Sequence, residues 1–171
     1  LIPNPWLFLE ATGQIFRGES SVFHAPRRRD LSYVGHLRAY QDLSESTNVD
    51  LGGSIAYGHN DAGPDATTRL IGADLTLRWR PLRRSIYTRL LARGEIVWSR
   101  REQPALTVEP TGDAAAGDAA PGEAGPFGAV STVGGYAYLE YQFARRWFAG
   151  LRYDDSGRAD LPGLRDRGGS F

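Results

Sequence analysis

Apolar residues recur at every second position along most of this chain. Ile71, Ala73, Leu75, Leu77 and Trp79 take one side of a segment whose other side holds Gly72, Asp74, Thr76, Arg78 and Arg80. After a break at Pro81 to Ser85 the period returns. Ile86, Thr88, Leu90, Ala92, Gly94, Ile96 and Trp98 are then set against Tyr87, Arg89, Leu91, Arg93, Glu95, Val97 and Ser99. A period of two belongs to a strand. A helix would scatter Arg78, Arg89 and Arg93 among the leucines instead of segregating them. The two segments therefore read as a hairpin of long strands.

The same alternation defines about seven segments, at roughly 5–19, 31–44, 47–59, 67–80, 85–101, 131–143 and 146–155. Each is longer than the five or six residues usual for a globular strand. One set of faces collects Leu9, Ala11, Ile15, Leu37, Leu51, Ile55, Leu139, Tyr141 and Leu151, and the opposite set carries Glu10, Arg38, Asp50, Glu140 and Arg152. The connections alternate in length. "SEST", "PLRR" and "ARR" are short, whereas "SSVFHAPRRRD", "NDAGPDA" and the Gly-, Pro- and Ala-rich tract before Val130 are long. Short turns at one end and long loops at the other are the asymmetry of membrane barrels. The tract around 105–128 is too poor in apolar residues to order itself and reads as a mobile external loop. Its other reading, a linker between domains, is disfavoured because the same strand pattern resumes after it. The chain thus reads as a single barrel segment over 1–171.

The totals narrow this further. Twenty basic and twenty acidic residues cancel, so bulk charge points neither to nucleic acid nor to an anionic surface. Every basic residue is Arg, which a GC-rich genome explains as readily as any function. With no Cys there is neither a disulfide framework nor a thiolate metal site. The opening "LIPNPWLFLE" lacks the charged start and apolar run of a signal peptide, so the chain reads as a mature protein or a cut piece. No apolar run approaches the roughly 20 residues of a spanning helix, but a membrane strand needs only about 9 to 11 alternating residues.

A soluble up-and-down barrel would show the same alternation turned inside out, with Arg outside. Three details favour the membrane form. Trp79, Trp98, Phe143, Trp147, Tyr57 and Tyr153 sit near the ends of the apolar faces, as interface girdles require. Small residues between them would pack a dry core poorly. The polar faces carry both signs, suited to pairing across strands while lining water. The expected fold is an all-β, antiparallel, up-and-down transmembrane β-barrel of about seven strands in the bacterial outer membrane. An odd count conflicts with the even number usual there. "RDRGGSF" shows no alternation, so the chain is expected to be an internal segment of a larger barrel or a barrel lacking at least one strand.

The series "TRLIGADLTLRWRP", "LLARGEIVWSRRE" and "GGYAYLEYQFARRWFAGLRYD" resembles the C-terminal half of Gram-negative porin-like outer-membrane proteins over roughly 67–154. The likeness is to the group related to phosphate-selective porins, and to barrels often labelled TonB-dependent or zinc-regulated receptors. It implies passage of small polar solutes through a water-filled lumen, without enzymatic activity or cofactor. A plug domain and TonB box, which such receptors carry N-terminal to the barrel, are not recognisable in this chain.

Candidate lumen-lining residues are Glu10, Arg38, Asp74, Arg78, Arg80, Arg89, Arg93, Glu95, Glu140 and Arg152. Rings of such charges set which ions enter a pore. The competing reading is that they satisfy one another in cross-strand pairs, and mixed signs weaken any single-sign field. His24, His36 and His59 lack the spacing of metal ligands and read as ordinary polar residues. No Ser has a distinctive catalytic context, and "YDDSGRAD" lacks the pattern of a defined calcium loop. Arg27 to Arg29 suit either lipopolysaccharide phosphates or a solvated turn. The expected partners are membrane lipid and small solutes, not nucleic acid; association between copies is open. The alternatives are a soluble ligand-binding barrel and the barrel portion of a TonB-dependent receptor.

Overall fold

In the computed structural model, which describes residues 7–104, 127–157 and 165–170, the alternating segments become strands. They are β1 (Phe8–Arg17), β2 (Leu31–Ser44), β3 (Thr47–His59), β4 (Thr67–Trp79), β5 (Arg89–Pro104), β6 (Phe127–Ala144), β7 (Trp147–Gly157) and β8 (Arg165–Ser170). All lie in one antiparallel sheet in chain order. Among the described residues nothing pairs β1 with β8, so both are edges and the sheet is open. None of these residues forms a helix able to cross a membrane, which says nothing of strands.

Two expectations need correction. Among the described residues the strand count is eight, because "RDRGGS" pairs with β7 from Gly157 opposite Arg165 to Arg152 opposite Ser170. Backbone hydrogen bonds hold it there without any apolar alternation. The β4–β5 connection is also not a tight "PLRR" turn. It runs from Arg80 to Thr88, with the Arg84 amide donating to the Pro81 carbonyl (3.3 Å) and the Tyr87 and Thr88 amides both donating to Arg84 (2.8 Å). Pro81 has no amide for a ladder, and β5 starts only at Arg89. The tract expected to be mobile lies outside the described residues except at its end, where Phe127 and Gly128 already pair with Pro104 and Gln103.

The register keeps the two faces coherent from strand to strand. Glu10 is opposite Arg38, Asp74 opposite Glu95 and Tyr138 opposite Arg152 on one face. Leu51 is opposite Leu75 and Leu139 opposite Leu151 on the other. A slip of one residue in any pair would mix them. Burial is inverted relative to a soluble protein: Leu51 and Leu75 are 54% and 46% exposed, whereas Asp50 and Thr76 are each 6% exposed. A single sheet with no second layer shelters side chains only on the side toward which it bends. This sheet therefore curls around its polar face.

The dry packing lies at the loop end and consists of Phe23, Ala25 and Ala66. The β1–β2 loop folds back over the polar face. The His24 amide donates to the His59 carbonyl (2.8 Å), and the Phe23 ring meets Phe16 edge-on at 6.3 Å. Asn60 ties the next loop down: its side-chain Nδ2 donates to the carbonyls of Thr67 (2.9 Å) and Glu102 (3.0 Å) and to the Thr68 hydroxyl (3.1 Å).

The exposed apolar face forms a belt. It runs from Val49 to Tyr57 on β3, Ile71 to Trp79 on β4 and Leu90 to Trp98 on β5, nine residues each counting both ends. Its loop-side edge slants across the hydrogen-bonded rungs. Tyr33 on β2 is level with Tyr57, while Trp98 is level with Ile71, Ile55 and Gly35, two residues further along β2. Tyr153 on β7 is level with Ala137, Gly94, Leu75, Leu51 and Ala39. Between Tyr33 and Ala39 the edge has dropped six residues.

Candidate functional site

The polar face holds a lattice of charges whose partners are set by register. Asp50 of β3 stands between two arginines from different strands. Arg38 of β2 donates from Nε to its Oδ1 at 2.8 Å and pairs through Nη2 with Oδ2, while Nη1 of Arg78 on β4 lies 3.7 Å from Oδ2. Glu10 of β1 reaches Arg38 at 3.8 Å. Four strands thus share one network. Asp50 is its most buried member, which fits its two cationic neighbours, since an unpaired buried carboxylate would be costly.

Asp74 leans from β4 over β3 toward His36 of β2, with Oδ2 3.9 Å from Nε2. The residue beneath it is Gly52. A Cβ at that position would lie 2.6 Å from the Asp74 Cγ, so the carboxylate occupies the space a side chain would take. Toward the turns, Arg89 pairs with Glu140 at 3.7 Å and lies 5.1 Å over the Phe148 ring. Glu140 also accepts from the Tyr138 hydroxyl at 2.7 Å. Arg152 donates to Asp154 on its own strand at 2.7 to 3.0 Å and stacks on Tyr136 at 4.7 Å.

Nine of the ten residues expected to line a lumen share this face. Arg80 lies one residue past β4, its amide donating to the Ser46 carbonyl at 2.7 Å. It borders a cavity of about 910 Å³ at the turn end, together with Arg78, Arg89 and Glu140. A second hollow of about 410 Å³ lies between Arg93, Tyr136, Tyr138 and Arg152. Arg38, Arg78, Arg89 and Arg152 are engaged with carboxylates, so mutual pairing accounts for four of the arginines. Arg93 and Glu95 of β5 have no ion pair within 4 Å among the described residues.

Asp50 is the residue that the list of lumen candidates missed. Its polar-face position was legible, but its place between two guanidinium groups depends on the register of three strands. Gln142 was also missed: it is buried at the turn end, and its Nε2 donates to the carbonyls of Ile86 (3.2 Å), Ala144 (3.0 Å) and Arg145 (3.3 Å). Among the described residues no three of His, Asp and Glu are grouped to hold a metal ion.

At the loop end, Glu102 accepts the Thr67 amide (2.9 Å) and the Thr67 hydroxyl (2.8 Å). The hydroxyl first, then the amide, holds its carboxyl below the usual range, against a smaller opposing effect of burial. Comparison of the chain with family models, with curated proteins and with solved structures gives no match.

Proposed function

We propose that this chain forms part of the wall of a porin-like outer-membrane β-barrel, with hydrocarbon against the apolar belt and a water-filled passage for small polar or charged solutes along the charged face. The observation that carries the reading is the belt. Nine residues is the length a tilted strand needs to cross a bilayer. Set level with a membrane surface, a drop of six residues over the five steps from β2 to β7 tilts the strands by about 40°, taking about 3.4 Å per residue and about 4.8 Å per strand. Transmembrane strands tilt by about 35–45°. A soluble barrel has no reason to place Tyr33, Trp98 and Tyr153 at successively lower levels from β2 to β7.

Two physical requirements follow. Unpaired backbone groups are prohibitive in hydrocarbon, so the edges of β1 and β8 must be paired in the membrane. Eight strands closed on themselves leave room for side chains or at most one small ligand, not for an open aqueous channel. A conducting pore therefore needs further strands or a second copy between β8 and β1. Of the loop-end arginines, Arg28 and Arg29 face solvent and suit lipopolysaccharide phosphates.

The test is planar-bilayer conductance and liposome swelling with the full-length gene product refolded into vesicles. Discrete conductance steps are expected. A protein that stays monomeric in buffer without detergent and binds an apolar ligand would establish the soluble barrel instead.

A further inference from the structure

The arginines divide into two populations. Those on the polar face are largely paired, as described above. Those in the turns are not: Arg80, Arg83, Arg84, Arg145 and Arg146 are exposed and have no carboxylate within 4 Å among the described residues. No acid occurs between Asp74 and Glu95, a stretch holding six arginines, nor between Glu140 and Asp154.

The fold brings two of these turns together. The single Nε2 of Gln142 bonds both the Ile86 carbonyl of the β4–β5 connection and the Arg145 carbonyl of the β6–β7 turn. Two groups distant in sequence, Arg83–Arg84 and Arg145–Arg146, thus flank one end of β5. The neighbouring acids are Asp42 and Glu45 of the β2–β3 hairpin, on the other side of Arg80, and Glu140, which is paired with Arg89. The charges also adjoin the belt directly. Arg80 follows Trp79 and Arg146 precedes Trp147, while Leu82, Ile86 and Trp147 are exposed beside them.

We infer that this turn-end cluster binds the phosphates of anionic phospholipids in the adjoining leaflet. The inference rests on the membrane reading above and adds a lipid class and a side to it. Charge complementarity selects an anion, and guanidinium groups suit phosphate oxygens bidentately. Continuity with the apolar belt selects a lipid over a free anion, because a tryptophan at the interface sets its neighbouring arginine at headgroup depth.

The experiment uses the full chain folded into vesicles of phosphatidylcholine alone and of phosphatidylcholine with phosphatidylglycerol. Insertion is read by protease protection, and retained lipid by native mass spectrometry after detergent extraction. The wild type is expected to retain phosphatidylglycerol over phosphatidylcholine about fivefold or more. The combined variant R83A/R84A/R145A/R146A should insert equally and lose that preference. Insertion without any preference in the wild type, or a preference unchanged in the four-site variant, overturns the inference and leaves the membrane reading standing. Preference lost through competition with free inorganic phosphate alone overturns it in favour of a soluble anion site. Failure to insert into either vesicle sinks the membrane reading, and this inference with it.

Discussion

The carboxylate of Asp74 occupies the space above Gly52 that a side chain on β3 would fill. The absence of one Cβ lets an acid from β4 reach His36 on β2, so the two residues work as a unit. Gly52→Ala should push Asp74 aside and destabilise the fold by about 1 kcal/mol, and Gly52→Val by about 1–3 kcal/mol. Adding Asp74→Ala should recover most of that loss, because the clash goes with the carboxylate. Denaturant unfolding of the wild type, Gly52→Ala, Asp74→Ala and the double variant checks this, and an additive double variant would contradict the shared-space account.

Asp50 pairs with both Arg38 and Arg78. Asp50→Asn leaves two guanidinium groups on the polar face with one fewer negative charge between them; if that face lines the proposed passage, ion selectivity must respond. Reversal potentials measured across a salt gradient should shift toward anion permeation. Asp154→Asn removes the same charge from an exposed pair on a single strand and should lower stability less.

The belt predicts opposite tolerance on the two sides of one strand layer. Leu75→Arg puts a charge in mid-belt, at a cost of about 2–4 kcal/mol in a bilayer, and should block folding into vesicles. Thr12→Arg, on the exposed polar face of β1, should fold normally. A gel-mobility assay of vesicle-folded protein distinguishes them, and equal folding of both would contradict hydrocarbon contact.

Glu102 lies four residues beyond Trp98, outside the belt, and its carboxyl is held below the usual range by the Thr67 hydroxyl and amide. A depressed value in the folded state means that its contribution is fully present above the unfolded value of about 4.3. It is lost as pH falls through the folded value. The protection factor of the Thr67 amide against hydrogen exchange should therefore be steady near neutrality and fall on acidification below about pH 4. Glu102→Gln should remove that acid-dependent part and raise the exchange rate at neutral pH.

The legible and illegible parts of this molecule separate by mechanism. Leu75 and Asp74 were assignable to opposite faces because adjacent residues of a strand must point apart, whatever the strand pairs with. The strand at "RDRGGS" was not legible, since it has no apolar residue to mark a face and is held by backbone bonds to β7. The β4–β5 connection was misjudged for a related reason: Ile86 and Thr88 continue the alternation, but Ile86 lies in a folded connection whose carbonyl meets Gln142.

Local chemistry by itself determined that this chain makes long two-faced antiparallel strands, with charges segregated from apolar groups. Alternation is a property of each strand alone, written in consecutive residues. Only the tertiary structure decided which charges meet, where the belt slants and which turns adjoin. Those depend on how far each strand slides against its neighbour, and that distance is set by bonds between residues far apart in the chain.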